Sequence, residues 1–109
     1  MTDQELLTYA AKAIDLKWLS YHHLKGLCCR DDKYGGLIEY YWNPLLNDAD
    51  AFQLMVRLLL AVEVGHIDTE VFYRDDRKYK KTSCANPSEK GNATRRAIVM
   101  AAAEIGKGM

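Results

Sequence analysis

The segment Trp42-Asn43-Pro44-Leu45-Leu46-Asn47-Asp48-Ala49-Asp50-Ala51-Phe52 decides the fold, because a strand pattern changes there into a helix pattern. Proline lacks an amide donor and disfavours helical geometry in the residue before it, so the strand should stop at Asn43. Asn47 or Asp48 can then cap a second helix, and both Asp48 and Asp50 suit the positive end of its dipole. The sequence therefore predicts a strand that leads directly into a helix.

This second helix is apolar over most of its surface, and only one narrow stripe is polar. We expect the helix to be mostly buried, or to be covered by a second copy of the chain in a homodimer. The apolar face comprises Phe52, Met55, Val56 and Leu59, flanked by Leu58 and Leu60, and the polar stripe comprises Asp50, Gln53 and Arg57.

Earlier in the chain, a helix and two strands are expected. Thr2 and Glu5 have the spacing of a capping box, and apolar residues follow at helical intervals, so a first helix should end near 15–17. The aromatic stretch after it is interrupted by glycines. It predicts two short strands, over 24–30 and 37–42, joined by a polar turn.

The second half of the chain again predicts strands followed by a helix. Alternating residues indicate strands over 62–67 and 70–73, with a third at 79–83. A final helix is expected over 93–105, with Gly106 as its left-handed C-cap. The hairpin-like connections favour an α+β fold, in which a small antiparallel sheet of short strands carries three helices packed mainly on one face.

Composition limits the class of protein. A chain of 109 residues is expected to form a single domain, 1–109, with one buried core. The 15 basic and 15 acidic residues give no overall field that favours nucleic acid or a membrane.

The 3 cysteines are an odd number, which favours reduced thiols in the cytoplasm over a disulfide framework. The acidic start of the chain predicts no signal peptide.

Side chains of metal-ligand type occur close together at His22, His23, Cys28 and Cys29. Adjacent cysteines point to opposite sides of a strand, whereas the cysteines of structural zinc sites are usually spaced so that one loop wraps the ion. No activated-thiol turn and no phosphate-binding glycine loop accompanies them. We therefore expect buried thiols, no metal, no cofactor and no catalytic residue.

Aromatic residues at the end of the first strand pair are candidates for a protein-binding surface. Strand alternation places Tyr40 and Trp42 on one side and Tyr41 on the other, so part of this set belongs to the core. We expect Trp42 in the core. Tyr40 and Tyr41, next to Asn43, belong either to the core or to an exposed binding surface.

Arg95 and Arg96 stand near the start of a predicted helix, where a positive charge opposes the helix dipole. One interpretation is a salt bridge to Asp48, Asp50 or Glu104. The other is a surface for an anion or an acidic partner. We favour the salt bridge.

A nucleic-acid or nucleotide-binding protein is the alternative function. Base stacking and phosphate neutralisation need aromatic and basic residues that interleave along the chain. One segment has this pattern. A polar hairpin tip often has the same composition, and that is the other interpretation of the segment. The residues are Tyr73, Arg74, Arg77, Lys78, Tyr79, Lys80 and Lys81.

Three segments resemble small phage and prophage proteins of unknown function, the NinX-like, domain-of-unknown-function group. They are Trp42-Asn43-Pro44-Leu45 with the helix cap after it, Arg95-Arg96-Ala97-Ile98-Val99, and Ala101-Ala102-Ala103-Glu104-Ile105-Gly106. The resemblance implies an accessory protein in the host cytoplasm and brings no enzymatic activity with it. We therefore expect a protein that binds a protein partner, with inhibition of a host enzyme or defence complex as one form.

Overall fold

The computed structural model describes residues 1–31, 38–65, 68–75, 78–85 and 90–109. Of the polar turn predicted at 31–36, Asp31 lies in a strand and 32–36 lie outside the described residues. The elements, in chain order, are α1 (Asp3–Ala13), β1 (Ser20–His22), β2 (Gly26–Asp31), β3 (Ile38–Trp42), α2 (Asp48–Arg57), β4 (Ala61–Val64), β5 (Asp68–Asp75), β6 (Lys78–Ala85) and α3 (Lys90–Lys107). The predicted α+β class is confirmed, but the strands form two antiparallel sheets, ordered β1-β2-β3 and β4-β5-β6.

Helix α1 begins with the capping box that the sequence predicts. The Glu5 amide donates to Thr2 Oγ1 at 3.2 Å, and the Thr2 amide donates to Glu5 Oε1 at 3.3 Å. The helix ends earlier than predicted, because Asp15 has a left-handed backbone with φ of 55°. The Leu16 amide donates to the carbonyl oxygen of Ala11 at 2.9 Å and closes a Schellman turn.

The first sheet includes β1, which the sequence did not predict because 3 residues are too few to show alternation. Strand β2 begins later than predicted, at Gly26, where φ is +99° and a Cβ would lie 2.6 Å from Asn43 Cβ. Only glycine fits there. Leu27 pairs with Trp42 across the strands, and both are buried, together with Cys29.

The second sheet contains the three strands predicted in the second half of the chain, with shifted ends. Alternate residues of β5, namely Thr69, Val71 and Tyr73, are buried on the face covered by α3. On β6, Thr82 Oγ1 donates to the carbonyl oxygen of Ala97 in α3 at 3.1 Å. This hydrogen bond connects the second sheet to α3.

Helices α1 and α3 pack side by side and run parallel. Arg96 Nη1 of α3 lies 3.1 Å from Asp3 Oδ1 at the start of α1. Lys12 Nζ, in the last turn of α1, donates to the carbonyl oxygen of Met109 at 3.0 Å. The two helices therefore run in the same direction, with the start of α1 beside the second turn of α3.

Helix α3 is longer than the predicted 93–105, so Gly106 lies inside it and the predicted C-cap is wrong. The glycine serves packing instead, because a Cβ there would overlap the carbonyl oxygen of Tyr9 on α1. None of the described helices is long and apolar enough to cross a membrane. Small buried residues permit the close approach of the two helices. They are Ala10, Ala11, Ala97, Ala101, Ala102 and Ala103.

Helix α2 is capped by Asn47, whose Oδ1 accepts from the Asp50 amide at 3.0 Å, as predicted. The expectation that α2 is mostly buried is wrong. Its buried residues are Ala51 and Leu54, which face the rest of the fold, whereas Phe52 is exposed. A helix that packs on α3 along one side leaves its remaining apolar arc to solvent.

Candidate functional site

A row of exposed apolar side chains runs along the outer side of α2, and we call it the α2 stripe (Phe52, Val56 and Leu59). Phe52 and Val56 are spaced i, i+4 on one face of α2, and Leu59 lies in the turn that follows the helix. The exposed fractions are 59% for Phe52, 52% for Val56 and 88% for Leu59. Large apolar side chains grouped at the surface mark interaction sites more often than scattered ones do. The α2 stripe is therefore the first candidate for a binding surface.

A groove beside the α2 stripe, which we call the α2–α3 groove, enlarges this surface. Its volume is about 330 Å³, within the usual range for ligand pockets. The lining of the groove is mostly apolar, with charged groups at one end. The size of the groove suits one or two apolar side chains. The lining residues are Asp48, Ala51, Phe52, Met55, Val62, Gly91, Thr94, Arg95 and Ile98.

The charged end of the groove is a salt bridge. Arg95 Nη1 lies 2.6 Å from Asp48 Oδ1, and Arg95 Nε donates to the carbonyl oxygen of Leu45 at 3.0 Å. Arg95 also donates to Asn92 Oδ1. The Arg95 side chain is only 17% exposed whereas that of Asp48 is 87% exposed, so the bond to the Leu45 carbonyl oxygen is partly buried and the ion pair itself is open to water. The favoured prediction of a structural bridge is confirmed for Arg95.

Arg96 is also in a salt bridge, but with a partner that the sequence did not suggest. It lies 3.1 Å from Asp3 Oδ1 of α1, not beside Glu104. The parallel packing of α1 on α3, which was not predicted, brings these two residues together. Both predicted arginines therefore form ion pairs within the chain.

Leu59 has an unusual backbone for a large side chain. Its φ is 54°, in the left-handed region that favours glycine. The Leu60 amide donates to the carbonyl oxygen of Met55 at 2.9 Å, and the Leu59 amide donates to that of Val56 at 3.3 Å. These are the two bonds of a Schellman turn, which requires the left-handed residue.

The structure separates the aromatic residues that were predicted to form a binding surface. Trp42 is 4% exposed and lies in the core, as expected. The Asn43 amide donates to Asp50 Oδ2 at 2.9 Å, so this residue connects β3 to the first turn of α2. Tyr40 and Tyr41 remain partly exposed, at 38% and 46%, on opposite faces of β3.

Tyr40 lines a polar cleft of about 550 Å³ between the first sheet and the ends of α1 and α2. Two arginines of this cleft already have protein partners. Arg30 Nη2 lies 3.1 Å from Glu39 Oε1, and Arg57 Nη2 donates to the carbonyl oxygen of Ile14 at 2.9 Å. Binding an anion there would require these contacts to be exchanged.

The nucleic-acid residues whose side chains are described divide between the two faces of the second sheet. Tyr73 is 5% exposed, so its ring has no free face for a base. Lys80 pairs with Tyr73, whereas Lys81 and Arg74 point to the other side of the sheet. Lys81 Nζ is 3.2 Å from Glu70 Oε1. Arg77 lies outside the described residues, and only the backbone is described for Lys78 and Tyr79.

Cys29 of the cysteine–histidine cluster is not an activated nucleophile. Burial, chiefly, raises the pKa of the Cys29 thiol to about 11, and the neighbouring Cys28 adds to this effect. A thiol that stays protonated is a poor nucleophile. Within the described part of the chain, no three His, Cys, Asp or Glu side chains are grouped so that they could hold a metal ion.

Comparison with known proteins yields no match, either to a family model, to a curated protein or to a solved structure. The function is therefore inferred from the geometry of this chain. Sequence reasoning expected Phe52, Val56 and Leu59 to be buried, in the core or by a second copy of the chain, and did not identify them as an exposed surface. One signal was present, since the apolar arc of this helix is wider than the face that one neighbouring helix covers.

Proposed function

We propose that this chain is a binding protein that recognises a protein partner through the α2 stripe and the α2–α3 groove, without a catalytic step of its own. The proposal includes the setting of a phage or prophage accessory protein in the host cytoplasm, which rests on the resemblance of the helical segments. Inhibition of a host enzyme or defence complex is one form that such binding could take.

The conformation of Leu59 is the observation that carries the proposal. A left-handed backbone costs a residue with a Cβ about 1–2 kcal/mol, and glycine would avoid most of that cost. The Leu59 side chain is 88% exposed, so in the isolated chain it gains little from burial. A partner that covers this side chain would account for a leucine at a position that suits glycine.

The shape of the surface indicates how the partner binds. Exposed apolar residues at i and i+4 of a helix, followed by an exposed leucine in the turn after it, suit a helix end that lies against an apolar partner surface. The groove beside it can receive an apolar side chain from the partner. A second copy of the chain could serve as this partner, and light scattering of the purified protein measures that.

Capture from a host lysate with matched variants tests the proposal. Leu59→Ser removes one member of the α2 stripe, and Leu46→Ser is the control, because Leu46 is also exposed, at 64%, and lies outside the stripe. We expect a protein that is retained by the wild-type chain and by Leu46→Ser, and is lost or strongly reduced with Leu59→Ser. Equal retention by both variants would contradict the proposal.

A further inference from the structure

Strand β4 lies at the edge of the second sheet, where the strand order is β4-β5-β6. The Gly65 amide donates to the carbonyl oxygen of Asp68 at 2.8 Å, and bonded and non-bonded residue pairs alternate along an antiparallel ladder. By this alternation, Val62 and Val64 occupy non-bonded positions opposite β5. The backbone N–H and C=O groups of both valines therefore point away from β5, along the outer edge of the sheet.

This outer edge is open in the part of the chain that the structure describes. None of the described residues forms a hydrogen bond with the outward backbone groups of Val62 or Val64. The Val64 side chain is 53% exposed. Each valine thus offers one backbone donor and one backbone acceptor to another chain. Such an edge accepts a further strand through main-chain hydrogen bonds.

The α2–α3 groove opens beside the same edge. Val62 stands opposite the buried Val71 across the ladder. Val64 stands opposite the buried Thr69, so both side chains of β4 lie on the sheet face that α3 covers. On this face, Thr94 Oγ1 of α3 lies 3.1 Å from Thr69 Oγ1, and both Thr94 and Val62 line the groove. A strand added outside β4 would therefore direct alternate side chains toward the groove.

The other face of this edge is acidic. Glu63 lies directly opposite Glu70 on β5, and like charges in that arrangement are destabilising. Lys81 Nζ is 3.2 Å from Glu70 Oε1, whereas Glu63 forms no ion pair among the side chains that are described. A cation opposite Glu63 on an added strand would reduce this repulsion.

A second copy of β4 does not supply that cation. If Val62 and Val64 of both copies were bonded to each other in an antiparallel pair, Glu63 would lie opposite Glu63 of the second copy. The charges at this edge therefore favour a different chain over a second copy.

We propose that β4 binds an extended segment of a partner protein as an added antiparallel strand. Apolar residues of the segment stand opposite Val62 and Val64 and pack at the α2–α3 groove, and a basic residue between them stands opposite Glu63. Main-chain hydrogen bonds supply affinity in this mode of binding, and the groove and the acidic pair supply specificity. The proposal rests on the proposed function, because it uses the same groove, and it names the form of the partner segment.

Hydrogen exchange measured by NMR tests this proposal with a defined probe, a short capped peptide with the core valine–lysine–valine between threonines. At saturating peptide, we expect the amide protons of Val62 and Val64 to exchange about ten-fold more slowly, because they become bonded to the added strand. Replacing the lysine of the peptide by glutamate should weaken binding about five-fold, as expected for an exposed charge pair.

Two methylated peptides separate strand addition from simple burial in the groove. N-methylation of both valines removes the amide donors that face β4 and should weaken binding about ten-fold. N-methylation of the lysine is the matched control. The lysine amide points to the far side of the added strand, so binding should not change.

Three results would overturn the proposal. They are unchanged exchange at Val62 and Val64 with saturating peptide, equal binding by the two methylated peptides, and slowed exchange of both amides in the peptide-free chain as its concentration rises. The last result would assign the edge to a second copy. The capture experiment with Leu59→Ser does not depend on β4, so each of these results would leave the proposed function standing.

Discussion

The amide of Leu60 donates to the carbonyl oxygen of Met55 at 2.9 Å, and this bond closes the last turn of α2. Because of this turn, Leu59 between them adopts φ of 54° and projects into solvent. The same turn at the end of α1 places Asp15 at φ of 55°. Aspartate tolerates this conformation better than leucine does, so the strain is greater in α2.

Leu59→Gly should therefore stabilise the isolated chain by about 0.5–1 kcal/mol, because relief of the left-handed strain exceeds the entropy cost of glycine. Asp15→Gly should give a smaller gain. Urea unfolding followed by circular dichroism measures both. The same Leu59→Gly variant should bind its partner more weakly, so stability and binding should change in opposite directions. A loss of stability in Leu59→Gly would contradict the claim that the left-handed backbone of Leu59 is strained.

Gly106→Ala should destabilise the fold by more than about 2 kcal/mol, because the added methyl overlaps the backbone of Tyr9 where α1 meets α3. Helix propensity alone would give the opposite sign. Gly108→Ala is the control, since a Cβ there would lie 3.7 Å from its nearest neighbours. Thermal unfolding should show a lowered midpoint for Gly106→Ala and little change for Gly108→Ala. Similar midpoints for the two variants would show that the helices do not pack this closely.

Arg95→Met should destabilise the fold by about 1–2 kcal/mol, because it leaves the partly buried Leu45 carbonyl oxygen without its donor, whereas the exposed Asp48 can bind water instead. Arg96→Met should cost less than about 1 kcal/mol, since the pair with Asp3 is solvent-exposed. Denaturant titration of both variants gives this comparison. Equal losses would mean that the shielding of Arg95 has no energetic effect.

The Cys29 thiol should react more slowly with iodoacetamide at pH 8 than Cys28 or Cys84 does, because burial keeps it protonated. Its pKa is raised from 9.0 to about 11, so the unfolded chain loses this proton first as the pH rises. The contribution of this group to folding stability is therefore complete below pH 9 and falls between pH 9 and 11. Mass spectrometry of the alkylated peptides, in buffer and in urea, checks the order of reaction. Fast labelling of Cys29 in the folded chain would contradict it.

Local signals in the sequence identified most elements of the fold. The capping box of Thr2 and Glu5 and the Asn47 cap were predictable because each depends on neighbours a few residues away. The grouping of strands into two sheets was not, since it depends on contacts between distant segments. Gly106 shows the same limit: a glycine near a helix end usually indicates a C-cap, and only the packing of α1 shows its other use.

The candidate site was less predictable than the fold. From sequence alone, an apolar helix face is interpreted as part of the core. The exposure of Phe52 and Val56 depends on the position of α2 at the edge of the fold, which the sequence does not show. The bridge of Arg95 to Asp48 was anticipated because a cation at a helix start needs a partner. Tyr41 was recognised as a candidate, but its neighbours Lys25 and His22 depend on the hairpin register.

Site-specific photo-crosslinking in cells of the proposed host measures most directly whether a protein covers the α2 stripe. A photoreactive phenylalanine analogue replaces Phe52 in one variant and Leu46, an exposed control, in the other. We expect one discrete adduct from position 52 and none from position 46, and its mass distinguishes a second copy of the chain from another protein. No adduct from position 52, or the same adducts from both positions, would contradict the account.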